Sequence, residues 1–177
     1  MRRADLEHII RAAGSIADAQ KLVIIGSQAI LGSFPNAPAE LTISAEADTY
    51  PLDAPEKADL IDGSIGEKSP FHETFGYYAH GVGPETAVLP ANWQTRLVPV
   101  QNENTRGVIG LCLSAVDLAI SKLAAGREKD LAFVTMLLVH RLVHAAELRA
   151  RAALLPPEHV PRAVAALAVC EARTCTP

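Results

Sequence analysis

Every strand-like segment of this 177-residue sequence lies before residue 114, and everything after Ser114 reads as helix. That order excludes the regular alternation of a doubly wound parallel sheet and points to an α+β, or mixed-sheet α/β, architecture. Asp5 to Ala19 is amphipathic, with Leu6, Ile9, Ile10, Ala13, Ile16 and Ala17 recurring at helical spacing. Lys21-Leu22-Val23-Ile24-Ile25-Gly26 then reads as a short buried strand, and Ser27 to Leu31 as a helical turn. Leu41 to Ala47 alternates apolar and polar residues, which predicts a second strand. Pro55 opens a helix. Thr74–Val82 and Glu85–Leu89 read as short strands joined by a Gly-Pro turn, and Arg96–Val100 and Val108–Leu113 as two more.

Ser114-Ala115-Val116-Asp117 has the form of a capping box and starts the helical part. One helix is expected to about Ala125, a second from Glu128 to Arg151 with room for a break, and a third from Glu158 to Ala172. Val160, Val164, Leu167 and Ala168 share one face of the last, suited to a partner, a second copy or the protein's own domain. Two regions follow: an α/β core over 1–113 and a helical C-terminal region over 114–177 packed on it.

Composition narrows the setting. At 49% hydrophobic and 20% charged, the chain can build a core and is not a disordered one. Aromatics are only 5%, so aliphatic side chains and alanine must fill that core. No apolar run is long enough for a membrane span, and Met1 to Glu7 has no apolar segment of the kind a signal peptide carries. Cys112, Cys170 and Cys175 form neither a disulfide framework nor a metal-spaced cluster, so a reducing, cytoplasmic compartment is expected. Charge is uneven. Residues 1–100 hold 7 basic against 13 acidic residues, and 101–177 hold 9 against 7. A broad basic surface for a long nucleic acid is missing.

Three short patterns could carry chemistry. Glu46-Ala47-Asp48 on a strand places two carboxylates on one face, where a hard cation such as Mg²⁺ relieves their repulsion. The same spacing also suits the wet face of an edge strand. Gly26-Ser27 follows a buried strand, where glycine lets a ligand approach the backbone and the next turn offers N–H groups to a phosphate. Lys122, Arg127 and Lys129 cluster around Gly126, either as a solvated, ion-paired turn or as a cationic clamp for a triphosphate. Residues 69–80 gather His72, His80, Tyr77 and Tyr78, which fit either an aromatic core face or a pocket with a base-stacking tyrosine. His140 and His144, four apart on an expected helix, have no evident third metal ligand and read as exposed or partner-packing.

Taken in order, Val23-Ile24-Ile25-Gly26-Ser27-Gln28-Ala29, Glu46-Ala47-Asp48 and the run Lys122 to Asp130 resemble the minimal nucleotidyltransferase superfamily. Small bacterial proteins related to AbiEii-type toxins are the nearest in kind. The resemblance covers about residues 20–140 and implies a sheet with flanking helices. It assigns nucleotide binding to Gly26, Ser27, Gln28, Lys122, Arg127 and Lys129, metal binding to Glu46 and Asp48, and catalysis to Glu46, Asp48 and Lys122, with Mg²⁺ as cofactor. The implied reaction moves a nucleoside monophosphate from a nucleoside triphosphate to an acceptor that is a protein, a tRNA or a small molecule. An antitoxin or a second copy of the chain is the implied protein partner, and no membrane is involved. The family pattern starts its acidic pair with Asp where this chain has Glu46, and its interval is shorter than the 19 residues from Ser27 to Glu46. It also has a third carboxylate on a later strand, for which Glu73 and Glu85 are candidates. The alternative is a catalytically degenerate member that binds a nucleotide or a protein.

Overall fold

The computed structural model describes residues 1–174; Cys175 lies outside them. The chain divides into two compact units, residues 1–86 with 97–113, and residues 87–96 with the chain from Ser114 on.

The first unit is built on a mixed five-stranded sheet. Its elements in chain order are α1 (Arg3–Ala17), β1 (Lys21–Ile25), the single turn α2 (Ile30–Ser33), β2 (Glu46–Pro51), α3 (Ala58–Ile65), α4 (Pro70–Phe75), β3 (Tyr78–Gly81), β4 (Val98–Val100) and β5 (Ile109–Cys112). The strands lie in the order β3-β2-β1-β5-β4. β1 pairs antiparallel with β2 and parallel with β5, β2 pairs parallel with β3, and β4 pairs antiparallel with β5. This mixed sheet with flanking helices is the α+β class that the order of segments predicts. β1 sits at its centre, and Leu22, Val23, Ile24 and Ile25 are all buried, as a strand covered on both faces requires.

Register divides the sheet's two faces. Leu22, Ile24, Ala47, Thr49, Ala79, Gly81, Gly110 and Cys112 share one face by strand alternation and cross-strand pairing. That face meets the helices: Ile10 of α1 packs on Gly110, Gly32 of α2 on Cys112, and Ala58 of α3 on Gly81. The opposite face carries Glu46, Asp48, Tyr78 and His80.

Three segments differ from the sequence expectation. The second strand begins at Glu46 instead of ending near it. Ile43, apolar in the alternating run, is 82% exposed, while Thr49 and Tyr50 pair with Ile24 and Val23 and are buried. Residues 74–82 are not one strand, because Ser69 caps α4 by accepting the His72 N–H at 3.2 Å, Pro70 opens it, and Gly76 closes it in the left-handed region. Residues 85–89 contain no strand; Pro84–Thr86 form a tight helical turn.

The second unit holds α5 (Ala115–Ala125), α6 (Glu128–Val139), α7 (Ala145–Ala152) and α8 (Val160–Thr174). Ser114 caps α5 by accepting the Asp117 N–H at 3.2 Å. The break expected between Glu128 and Arg151 falls at residues 140–144, where Arg141 takes φ 56°. His140 and His144 therefore flank a turn instead of sharing a helix face. Asp117 is fully buried and organises this unit, holding Arg96 at 2.9 Å and Arg151 at 2.7 Å. Arg96 also donates to the carbonyls of Asn92 and Ala91, so the 87–96 segment is tied to the helices through one guanidinium. On α8 the buried residues are Ala163, Ala166, Leu167 and Cys170. Val164 and Ala168 are exposed, so only Leu167 of the row Val164, Leu167 and Ala168 faces inward.

Candidate functional site

The close approach begins at Gly26. Its φ of 69° with ψ of −173° belongs to a region that only glycine occupies without strain. A Cβ at this position would lie 1.9 Å from Oδ2 of Asp48, so the missing side chain is what admits the carboxylate. Ile25 pairs with Asp48 across β1 and β2, which fixes that meeting through the sheet register. Ser27 to Ala29 continue as a tight helical turn. Gln28 is fully buried; its amide donates to the Ser44 carbonyl at 3.1 Å and ties the turn to the segment before β2. Its Oε1 has no hydrogen-bond partner among the described residues.

β2 and β3 then bring four side chains to one face. Glu46 stands opposite Tyr78, and Asp48 opposite His80. The Tyr78 hydroxyl donates to Oε2 of Glu46 at 2.9 Å. Burial, and then the bond to Glu46, push the Tyr78 phenol up to about 12, so it remains a donor at neutral pH. His80 Nδ1 lies 3.0 Å from Oδ1 of Asp48, and the two side chains are 48% and 20% exposed. Glu46, Asp48 and His80 each offer one donor atom, all within 4.8 Å of one another. Two carboxylate oxygens suit a hard divalent ion, and the imidazole is acceptable to a borderline one, so the donor set fits a divalent cation. Neither Glu73, in α4, nor Glu85, in the turn after β3, belongs to this group.

The aromatic segment splits into two clusters. Phe71, Phe75 and Tyr77 pack with His8 of α1, and His8 Nδ1 lies 2.8 Å from the Tyr77 hydroxyl. His72 instead sets its ring 4.6 Å from that of Tyr78, beside the carboxylates. Tyr78 and His80 are thus the residues that sequence reasoning left outside the acidic pair. Their two-residue spacing repeats that of Glu46 and Asp48 and was the available signal.

The basic run lies in the second unit and is organised around Asp130. This carboxylate is fully buried, accepts from Lys122 Nζ at 3.2 Å and from Arg127 Nε at 2.5 Å, and stands at the start of α6. Burial pushes its pKa up, but the Arg127 bond and the Lys122 charge outweigh that and hold it below the usual carboxylate value. Lys122 is itself buried, with Nζ 4.5 Å from the centre of the Phe133 ring. Arg127 and Lys129 are exposed. The buried Cys112 thiol is pushed up to about 12 by desolvation, which leaves it an inert core residue.

A mixed sheet carrying an acidic pair beside a strand–Gly-Ser turn defines a class, and the family comparison gives it a name. The chain belongs to a family described as a nucleotidyltransferase of unknown function (DUF6036), whose model matches residues 4–154. No curated protein and no solved structure matches it. Among the described residues no helix is long and apolar enough to cross a membrane.

Proposed function

We propose that this protein is a Mg²⁺-dependent nucleotidyltransferase that moves a nucleoside monophosphate from a nucleoside triphosphate to a hydroxyl acceptor. The observation that carries the proposal is the grouping of Glu46 and Asp48 on one sheet face, with Asp48 against Gly26, in a chain of a nucleotidyltransferase family. Glu46 and Asp48 hold the ion, with Tyr78 orienting Glu46 through its hydroxyl. The bound ion supplies charge stabilisation for the attacking and leaving oxygens. The Gly26-Ser27 turn meets the triphosphate with its backbone, and Gln28 holds that turn in place. The acceptor hydroxyl gives its proton to solvent water, its oxygen bonds the α-phosphorus, and the bond from that phosphorus to the bridging oxygen breaks to release pyrophosphate. Within the helical unit, Lys122 and Arg127 keep their turn in shape through Asp130.

The acceptor is a protein, a tRNA or a small molecule, and the working compartment is the bacterial cytoplasm. A toxin-type role of the AbiEii kind, countered by an antitoxin, is the finer form of the same proposal; it predicts that induced expression arrests growth and that Glu46→Gln/Asp48→Asn relieves the arrest. The transfer itself is tested by incubating the purified protein with each α-³²P-labelled nucleoside triphosphate, Mg²⁺ and a bacterial extract. Label retained in protein, RNA or a small metabolite, and lost with Glu46→Gln/Asp48→Asn, supports the transferase. Tight triphosphate binding with no label transfer favours the second reading, a degenerate fold that binds a nucleotide. The feature that favours this alternative is the third donor of the group, which is His80 and not a carboxylate.

A further inference from the structure

We infer that His80 is a ligand of the bound cation, so that the site takes Mn²⁺ in preference to Mg²⁺. The inference rests on the reading of Glu46 and Asp48 as metal-holding residues; it adds a third ligand and ranks Mn²⁺ above the Mg²⁺ that also serves the transfer.

Three features of the sheet support it. First, β2 and β3 pair in parallel with Asp48 directly opposite His80, so the imidazole is delivered to the carboxylate by backbone register and not by a mobile loop. Second, the separation of Nδ1 and Oδ1 is 3.0 Å. Two ligands at right angles on one ion, each about 2.1 Å from it, stand about 3.0 Å apart. The pair is therefore already spaced as neighbouring ligands, and a hydrogen bond spans the same gap. Third, the remaining oxygens are pre-set: Oε2 of Glu46 receives the Tyr78 hydroxyl, which leaves Oε1 to turn to the ion.

The donor chemistry then decides the ion. Mg²⁺ takes oxygen ligands and gains little from an imidazole, whereas first-row transition ions bind imidazole and carboxylate together. A site of one imidazole nitrogen and two carboxylate oxygens accordingly ranks Mn²⁺ above Mg²⁺, and an all-oxygen site would narrow that difference. His80 is half exposed, so its replacement leaves the core of the sheet untouched.

The test is Mn²⁺ binding to the tag-free full chain, followed by electron paramagnetic resonance, with ¹⁴N spin-echo modulation reporting a directly bound imidazole. Mg²⁺ affinity is measured by competition. The wild type is expected to bind Mn²⁺ at least tenfold more tightly than Mg²⁺ and to show the ¹⁴N modulation. His80→Ala should abolish the modulation and lower Mn²⁺ affinity about tenfold while moving Mg²⁺ affinity by less than twofold. His80→Asp, which restores an all-oxygen set, should bring the two ions to within about threefold of each other. Mn²⁺ bound without ¹⁴N modulation, or modulation that persists in His80→Ala, overturns the His80 assignment and leaves the carboxylate site standing. Absence of Mn²⁺ and Mg²⁺ binding in the wild type, with and without a nucleoside triphosphate, overturns both.

Discussion

Two pairs of carboxylates in this protein have opposite surroundings. Asp117 and Asp130, in the helical unit, are fully buried, and each is met by two permanent cations, Arg96 and Arg151 for the first and Lys122 and Arg127 for the second. Glu46 and Asp48, on the sheet, are partly exposed and meet a phenol and an imidazole. Removing a charge from water costs several kcal/mol, so a buried carboxylate persists only with cations built around it, and the resulting set is structural. A partly exposed pair with exchangeable neighbours can accept a cation from solution instead. The same residue type therefore ties helices together in one unit and, on the sheet, stays partly open to solvent.

The largest effect is expected at Asp117. Asp117→Ala strands two guanidiniums that are mostly covered and should cost about 3–5 kcal/mol of stability, measured by urea denaturation. Gly26→Ala comes next. It forces a side chain into a glycine-only backbone region and against Asp48, and should cost about 1–3 kcal/mol while abolishing divalent-cation binding. Tyr78→Phe sharpens the contrast from the other side. Stability should fall by only about 1 kcal/mol. Metal affinity should drop roughly tenfold or more, because Glu46 loses the group that orients it.

Acid titration separates the two kinds of carboxylate as well. Asp130 is held below its ordinary value of 3.8 in the folded protein, so it binds fewer protons than in the unfolded chain. Its contribution is fully present above that value and is lost as pH falls through the lower folded one. Asp130→Asn should therefore flatten the decline of stability below about pH 4, checked by denaturation at several pH values. The smallest effect on stability is expected for Glu46→Gln/Asp48→Asn. Both side chains are partly exposed, so the change should stay within about 1 kcal/mol even though the cation site is lost.

The parts of this contrast differ in how well they could be read from sequence. The central strand, Gly26 and the helical cap at Ser114 were legible because each is a local signal: an apolar run, a glycine at a strand end, a hydroxyl before a helix. Glu46 and Asp48 were legible as a pair for the same reason. Their partners were not, since Tyr78 and His80 are 32 residues away and reach the pair only through β2–β3 pairing. That pairing was obscured by the aromatic stretch before it, whose apolar pattern suits a strand although Ser69, Pro70 and Gly76 cap a short helix there. The run around Lys122 was legible as a cationic turn. Lys122 and Arg127 converge on Asp130, a residue of the same run.

Calorimetric titration of the four nucleoside triphosphates with Mg²⁺ into the wild type and into Glu46→Gln/Asp48→Asn tests whether the acidic pair holds a metal–nucleotide complex. Metal-dependent binding of at least one triphosphate by the wild type is expected. That binding is lost in the double variant, which unfolds at the same urea concentration as the wild type. Triphosphate binding that survives the double substitution, or no binding by the wild type, would contradict that role of the pair.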